Sequence, residues 1–223
     1  MSNQKLTNYN LLRKEALKQG AELFGVADIS KEKKNFELQQ DVLKNFNWAV
    51  CLVIPLSASI LNTIEAAPNK IYFHHYRIAN SLLDQIAFKL ANFIQAKGFR
   101  ALPIPASQIL NWQKQSAHLS HKKIGYLAGL GWIGRNNLLV NQDLGCQFRL
   151  VTILTDMPLK IGRPLKKDCD SCRACIEVCP VGAIKEKKED FDYQRCFEKL
   201  KEFQKSGAVG QYICGICVKA CKG

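Results

Sequence analysis

The sequence CDSCRACIEVCP, residues 169–180, places four cysteines at intervals of three, three and four residues. A second run, YICGICVKAC at residues 212–221, contains three more, and Cys196 lies alone between the two runs. Eight of the ten cysteines therefore lie in the last 55 residues. Cysteine thiolates are soft ligands that suit iron–sulfur clusters and zinc. The pattern predicts a metal-binding module at this end of the sequence.

The spacing of the first run is the one with which bacterial ferredoxins hold [4Fe–4S] clusters. Three closely spaced cysteines bind one cube, and the fourth binds the other. Pro180 turns the chain away directly after Cys179, which allows that thiolate to reach a second cube. Applied to all eight cysteines, the rule predicts two complete ligand sets. The first set is Cys169, Cys172, Cys175 and Cys221, and the second is Cys179, Cys196, Cys214 and Cys217.

Zinc and disulfide bonds are the two competing uses of so many cysteines. Zinc ribbons also contain Cys-x2-Cys pairs, but they use four ligands per site and rarely a third cysteine at the same short step. A disulfide framework requires an oxidising compartment. The first ten residues are polar and lack the apolar segment of a secretory signal. Both alternatives are therefore weaker than two clusters, and we expect a cytoplasmic protein.

The composition is that of a packed globular protein with a basic surface. Of 223 residues, 47% are hydrophobic, and no run of 18 apolar residues predicts a membrane span. The formal net charge is +13, and two clusters with thiolate ligands would reduce it to roughly +9. Such a surface attracts an acidic electron donor or RNA. No arginine-rich stretch with interleaved aromatics occurs, so an ordinary solvated surface is favoured.

Hydrophobic periodicity in the first 158 residues predicts helices alternating with strands. Helices are expected at 6–19, 31–46, 71–97 and 119–127, and strands at 23–29, 48–56, 99–104, 138–141 and 147–155. The alternation predicts a layered sheet domain of the α/β (α+β) class. We expect this domain to cover residues 1–158, and a ferredoxin-like double [4Fe–4S] module to cover residues 159–223. Cys51 is expected to be a small buried hydrophobe, and Cys146 an inert, half-buried thiol.

Two further stretches carry a family resemblance. GLGWIGRN at residues 129–136 and ILTDMPL at residues 153–159, together with the cysteine pattern, closely resemble epoxyqueuosine reductases over roughly residues 72–221. The resemblance implies a cobalamin-binding α/β domain, related to that of reductive dehalogenases, joined to the double-cluster module. It also implies that electrons pass from an outside donor through both cubes to the corrinoid, which reduces a substrate.

The resemblance assigns cofactor contacts to the glycine-rich loop. Gly131 and Gly134 would let the backbone approach a cofactor closely, and Arg135 and Asn136 would meet its polar groups. The alternative is a tight turn packed on the core, with Arg135 at the surface.

Two features depart from the family pattern. The position of the family's acidic proton donor holds Gln115, and an amide cannot act as a general acid. His118, His121 and Tyr76 are weak candidates for a catalytic role in its place. The family's C-terminal helical-repeat domain, used for tRNA, is also missing from this sequence, so a short form is expected.

The predicted function is that of an iron–sulfur oxidoreductase. Single electrons would pass through two [4Fe–4S] clusters to a corrinoid or small-molecule site in the α/β domain, with a ferredoxin or flavodoxin as donor. One alternative is a non-catalytic electron-transfer protein that feeds a partner enzyme. Another is tRNA modification of the queuosine type with a separate RNA-binding partner.

Overall fold

The computed structural model describes residues 2–113 and 115–223. The helices are α1 (Ser2–Lys18), α2 (Gln40–Leu43), α3 (Ala58–Asn62), α4 (Lys70–Ala96), α5 (His121–Leu127), α6 (Ala174–Glu177), α7 (Tyr193–Lys205) and α8 (Ile216–Ala220). The strands are β1 (Leu23–Asp28), β2 (Trp48–Pro55), β3 (Ala101–Ile104), β4 (Trp132–Ile133), β5 (Leu139–Val140) and β6 (Phe148–Thr155). In the described residues, no helix is both long and apolar enough to cross a bilayer.

The chain divides into two compact units, and each is built from separate segments. Unit 1 comprises residues 1–54, 80–130 and 149–165, and unit 2 comprises residues 55–79, 131–148 and 166–223. The cysteine-rich tail thus belongs to a unit that also includes two earlier segments. The boundary at residue 158 stays a prediction.

A four-stranded sheet with the order β1–β2–β6–β3 forms the centre of unit 1. β1 and β2 pair antiparallel with Gly25 opposite Cys51, and β3 and β6 pair antiparallel with Leu102 opposite Leu154. The sheet is therefore of the antiparallel type that the α+β form of the prediction describes. The predicted layered fold class is confirmed.

The core of unit 1 explains why β2 forms where it does. All six residues from Ala49 to Ile54 are buried, as the continuous apolar run predicts for a strand covered on both faces. On α4, Leu83, Ile86, Leu90 and Ile94 are at most 2% exposed and follow helical spacing. Burying each of these side chains stabilises the fold by about 1.5 to 3 kcal/mol.

Unit 2 contains a small hairpin and three of the short helices. β4 and β5 pair antiparallel, with Trp132 opposite Val140. A Cβ on Gly131 would lie 2.0 Å from the carbonyl oxygen of Val140, so glycine is required where the two strands meet. Trp132, Val140 and Cys146 form a buried cluster against which Cys169 and Cys221 pack. The hairpin thus packs against Cys169 and Cys221.

The prediction of one long helix at residues 31–46 is wrong. The chain there forms a single 3-10 turn at Lys33–Asn35 and then the four-residue α2. Phe36 is extended (φ −89°, ψ 136°) and is buried in the core of unit 1 with Leu43 and Phe46. Burial of this aromatic ring at a non-helical position overrides the weak helical pattern of a polar segment.

Candidate metal centre

Two short helices carry the middle of each cysteine run. α6 includes Cys175, α8 includes Cys217, and these two helices pack against each other. Gly215 precedes α8 in a left-handed conformation (φ 84°) that glycine adopts without steric cost. A Cβ at this position would lie 2.7 Å from side-chain atoms of Ile64 and Tyr72. Only glycine fits this turn, which fixes the direction in which Cys217 enters the site.

The helix α7 brings in the lone cysteine. Asp192 caps this helix, because its carboxylate accepts a hydrogen bond of 2.9 Å from the backbone N–H of Arg195. Cys196 follows in the first turn, and the ring of the next residue, Phe197, meets the ring of Tyr212 edge-on at 5.5 Å. Tyr212 opens the second cysteine run, so this contact ties α7 to that run.

The thiols of the first predicted set are electrostatic neighbours. Burial, together with the charges of Cys221, Cys169 and Cys172, raises the pKa of the Cys175 thiol to about 11. Charges act in this way only at short range, so Cys221 lies near the first run although it ends the second. This neighbourhood coincides with the set that the ferredoxin rule predicts.

The thiols of the second predicted set also lie together. Burial raises the pKa of Cys214 to about 11, with Cys196 and Cys179 adding to the shift. Burial likewise raises the pKa of Cys196, and Cys179 raises it further. No three Cys, His, Asp or Glu side chains in the described parts of the chain converge as ligands of a single ion would. Cys217 has Cys214, Cys196 and Cys179 as neighbours, and also Cys175 of the first set. The assignment of the eight cysteines to two cubes stays a prediction.

Arg135 holds the backbone of the first run in place. Its guanidinium donates hydrogen bonds to the carbonyl oxygens of Glu186, Cys172 and Asp170, at 2.5, 2.9 and 2.8 Å. Asp170 has a left-handed conformation (φ 43°), which few non-glycine residues adopt. The planar fork of arginine suits such a set of acceptors. The structure thus gives Arg135 a partner in the cysteine module at each of its nitrogen atoms.

The other predicted loop residues also contact the module. A Cβ on Gly134 would lie 2.7 Å from the side chain of Val140 and 3.4 Å from the sulfur of Cys169. Asn136 is 5% exposed, and its amide nitrogen donates to the sulfur of Cys146 at 3.3 Å. The contacts of this loop are therefore with the cysteine module, with Cys146 and with the hairpin strand β5. Its role toward a corrinoid stays a prediction.

Cys146 lies against Cys221 and is more buried than the sequence suggested. It is 4% exposed, and its sulfur lies 4.0 Å from the carbonyl oxygen of Cys217. A hydrogen bond from Cys146 lowers the pKa of the Cys221 thiol to about 6, while the same bond raises the pKa of Cys146 well above its usual value. Sequence reasoning missed this contact, because 75 residues separate the two cysteines.

His121 opens α5 in unit 1, and both of its ring nitrogens have partners. Nε2 lies 3.0 Å from the carbonyl oxygen of Pro105, and Nδ1 lies 2.8 Å from the hydroxyl of Thr152. Since a carbonyl only accepts, Nε2 carries the proton and Nδ1 accepts from Thr152. Burial lowers the pKa of His121 to about 4, so the ring is neutral at pH 7.

His118 is paired with a residue that sequence reasoning did not connect to it. Its Nδ1 donates to the carbonyl oxygen of Glu37 at 3.0 Å, and the N–H of Glu37 donates to the carbonyl oxygen of His118 at 2.9 Å. The Glu37 carboxylate accepts from the hydroxyl of Ser116 at 3.2 Å. Glu37 thus places a carboxylate beside the segment where Gln115 replaces the expected acid. No sequence signal links residues so far apart.

Tyr76, the third weak candidate, belongs to unit 2. It lies on α4, partly buried, and its ring meets the ring of Tyr72 at 6.3 Å. An aromatic contact of this kind is ordinary packing. A catalytic role for Tyr76, like those of His118 and His121, stays a prediction.

The cysteine-rich segment at the end of the sequence matches a known family model. Residues 168–222 match the family model described as the 4Fe-4S double cluster binding domain. The module therefore binds two [4Fe–4S] clusters. The donor set fits them, because it provides two groups of four cysteine thiols.

Curated relatives extend the match into the preceding segments. The chain is 38% identical to the epoxyqueuosine reductase of Escherichia coli K12 over 98 residues, which is 44% of this chain and 25% of that protein. It is 28% identical to the Aliivibrio fischeri enzyme over 149 residues, or 64% of this chain and 37% of that protein. The resemblance to epoxyqueuosine reductases is confirmed. The matched region spans about a quarter to a third of the length of these relatives.

Solved structures share the fold of an epoxyqueuosine reductase across nearly the whole chain. The enzyme from Streptococcus thermophilus superposes with a TM-score of 0.64 at 16% identity, covering 95% of this chain and 65% of that one. A catabolic reductive dehalogenase bound to 3-bromo-4-hydroxybenzoic acid gives a TM-score of 0.79 at 19% identity, covering 97% of this chain and 32% of that one. At such identities the superpositions establish the fold alone.

Proposed function

We propose that this protein is an iron–sulfur oxidoreductase that relays single electrons through two [4Fe–4S] clusters to a substrate site in the α/β domain. The observation that carries the proposal is the match of residues 168–222, which contain all eight cysteines, to the 4Fe-4S double cluster binding domain. The similarity to epoxyqueuosine reductases adds the reductase class. A delocalised cube accepts one electron with little rearrangement, and its potential follows from burial and from hydrogen bonds to sulfur.

The proposed ligand sets are those that the ferredoxin rule predicts. One cube is bound by Cys169, Cys172, Cys175 and Cys221, and the other by Cys179, Cys196, Cys214 and Cys217. Arg135 keeps the first run in the conformation that presents Cys172. Burial raises the pKa of four of these thiols, those of Cys175, Cys196, Cys214 and Cys217, so binding iron displaces their protons. The protein's own contribution is to hold the eight sulfur atoms in one module, with Cys172 exposed and the other seven at least partly buried.

A corrinoid is the cofactor that the resemblance adds to the clusters. When bound, it would supply a cobalt centre able to reduce a substrate in single-electron steps. The four loop residues proposed to contact it are Gly131, Gly134, Arg135 and Asn136. Arg135 and Gly134 contact the cysteine module, whereas Asn136 contacts Cys146 and Gly131 lies against Val140. None of these contacts leaves a group directed at a corrinoid, and no step is assigned through that cofactor.

Anaerobic reconstitution with iron and sulfide, with and without cobalamin, tests the proposal. We expect about eight iron and eight sulfide ions per chain and, for the corrinoid form, a corrin absorption band that stays with the protein through gel filtration. Eight irons without a retained corrin band would favour the alternative of an electron-transfer protein that feeds a partner enzyme. About four irons per chain would contradict the two ligand sets.

The proposed partners are an acidic electron donor, such as a ferredoxin or flavodoxin, and a small-molecule substrate. A donor of that kind would reduce the clusters at a rate that falls as ionic strength rises, since the formal charge of this chain is +13. A tRNA substrate requires RNA binding that weakens with salt. Gel-shift titration with unmodified tRNA at two salt concentrations decides this, and binding absent at both would remove the tRNA alternative.

A further inference from the structure

Trp132 on β4 carries a buried hydrogen-bond donor that the chain itself leaves unpaired. The side chain is 6% exposed, and its indole Nε1 has no hydrogen-bond partner among the described residues. An indole N–H can only donate, and its direction is fixed by the ring. An unpaired donor in a packed interior costs free energy, so an acceptor from outside the described chain is expected at this position.

Within the described residues, the Oε1 atoms of Gln19 and Gln211 are also buried without a partner. A glutamine amide can be turned about its terminal bond, which exchanges its oxygen and nitrogen. The indole ring of Trp132 has no equivalent change, because turning it would repack the interior around it. Trp132 therefore gives the stronger indication of a missing acceptor.

The surroundings of Trp132 connect it with the first cysteine run. Cys169 and Cys221, two proposed ligands of one cube, pack against the buried cluster that contains Trp132. The Nζ atom of Lys167 lies over the face of the indole ring, 5.9 Å from its centroid. Since the N–H lies in the plane of the ring, this cation over the face does not block it.

A trapped water is a poor partner for the indole N–H in this cluster. A buried water requires several polar partners of its own. The side chains that form the cluster with Trp132 or pack against it are apolar or carry sulfur, and they are Leu138, Val140, Cys146, Cys169, Val218 and Cys221. A [4Fe–4S] cube would bring sulfide ions to this place, and these accept hydrogen bonds.

We propose that the indole N–H of Trp132 donates a hydrogen bond to a sulfide of the first cube and thereby raises the reduction potential of that cube. The inference rests on the proposed function and on the first ligand set, Cys169, Cys172, Cys175 and Cys221. When the cube accepts one electron from an outside donor, its negative charge increases, and no proton is transferred. A donated hydrogen bond stabilises that added charge. The potential of the second cube is left unchanged.

Redox titration followed by EPR spectroscopy of the reconstituted protein tests the inference. Trp132→Phe keeps an aromatic ring in the buried cluster and removes the N–H. The equilibrium constant for reducing the first cube should fall about tenfold, a shift of about 59 mV to lower potential for one electron. The second cube should titrate as in the wild type. With tryptophan labelled by ¹⁵N in the indole, ENDOR spectroscopy of the reduced first cube should detect a nitrogen coupling that Trp132→Phe lacks.

Trp48→Phe is the matched control. It makes the same chemical change on β2 in unit 1, where Nζ of Lys5 lies 5.8 Å from the ring centroid. Both potentials and the nitrogen coupling should stay at their wild-type values in this variant. Cys172→Ser, a change at an exposed member of the first ligand set, identifies which EPR signal belongs to the first cube.

Three results would overturn the inference. They are potentials in Trp132→Phe equal to those of Trp48→Phe, an equal shift of both cubes, and a nitrogen coupling that persists in Trp132→Phe. If Trp132→Phe fails to retain its clusters, the labelled double variant Trp48→Phe/Trp112→Phe decides, because Trp132 is then the single tryptophan. A nitrogen coupling to the first cube supports the bond there, and its absence overturns it. Wild-type protein with fewer than about eight irons would count against the proposed ligand sets rather than against the role of Trp132.

Discussion

His121 is kept neutral by its surroundings, although it carries a titratable ring. Its ring nitrogens form hydrogen bonds with the carbonyl of Pro105 and the hydroxyl of Thr152, and burial lowers the pKa of His121 to about 4. A free histidine titrates near 6.5. The unfolded chain therefore binds a proton between pH 6.5 and 4 that the folded chain does not bind, so folding loses stability as pH falls through this window.

The first prediction concerns His121→Gln. Between pH 6.5 and 4, the wild type should lose up to about 3 kcal/mol of unfolding free energy through this one group. The variant should show a shallower dependence on pH, because glutamine does not titrate. Urea unfolding of unit 1 at several pH values measures the slope, with His74→Gln, a change to an exposed ring on α4, as control. Equal slopes in wild type and His121→Gln would show that the ring is not buried in the neutral form.

The second prediction concerns the three hydrogen bonds that Arg135 donates to backbone carbonyl groups. Arg135→Gln removes a charged donor from three carbonyl groups of the cysteine module, which should destabilise the first run by at least about 2 kcal/mol. Iron should be lost faster to a chelator, and from one cube before the other. The control is Arg173→Gln, since Arg173 forms an exposed ion pair with Glu186 at 2.9 Å, and such pairs contribute about 0 to 1 kcal/mol. Equal rates of iron loss in both variants would contradict a stabilising role for the hydrogen bonds of Arg135.

At the scale of elements, Gly145 and Gly182 both have left-handed backbone conformations, but only Gly145 lies against other atoms. Comparing alanine at the two positions therefore distinguishes the effect of backbone strain from that of a steric clash. Gly145 and Gly182 have φ angles of 57° and 60°. A Cβ on Gly145 would lie 2.2 Å from the carbonyl oxygen of Cys221, whereas a Cβ on Gly182 would meet nothing within 4 Å. Alanine at either position bears the same strain of about 1 to 2 kcal/mol, but only at Gly145 must the end of the second cysteine run also move.

The third prediction follows from this pair. Gly145→Ala should lower the iron content toward about four per chain, because it displaces Cys221 from the first cube. Gly182→Ala should lower the midpoint of thermal unfolding slightly and leave the iron content near that of the wild type. Iron analysis and EPR spectroscopy after anaerobic purification measure both. A full complement of iron in Gly145→Ala would show that the position of Cys221 does not matter to the cluster.

The strands and the long helix could be predicted from the sequence because their patterns are strong. The continuous apolar run gave β2 to within one residue, at Trp48–Pro55, and α4 was placed at Lys70–Ala96 against an expected 71–97. The broken segment at 31–46 could not be predicted, since a weak helical period competes with the tertiary burial of Phe36. The two-residue strand β4 was missed because it depends on pairing with Val140 rather than on its own pattern.

The features of the candidate site also fall into those that the sequence predicts and those that it does not. The eight cysteines and their likeness to a double-cluster module follow from spacing, which is a local property of the sequence. The contacts of Arg135 with Cys172 and of Cys146 with Cys221 join positions that are 37 and 75 residues apart. Such contacts are set by the packing of unit 2 and leave no periodic signal.

At the scale of the whole molecule, the cysteine module is not a separate tail. Unit 2 combines residues 166–223 with the earlier segments 55–79 and 131–148, and Lys219 on α8 donates hydrogen bonds to the backbone carbonyls of Asn62 and Ile64. The chain therefore passes through the unit that carries the clusters more than once.

An anaerobic crystal structure with an iron anomalous map tests the central claim most directly. The claim is that the two cysteine runs exchange their last ligands between two cubes. The map should contain two four-iron peaks, with the sulfur of Cys221 bound to the same cube as Cys169, Cys172 and Cys175. Cys221 bound to the same cube as Cys196, or a single cube in an otherwise ordered module, would contradict it.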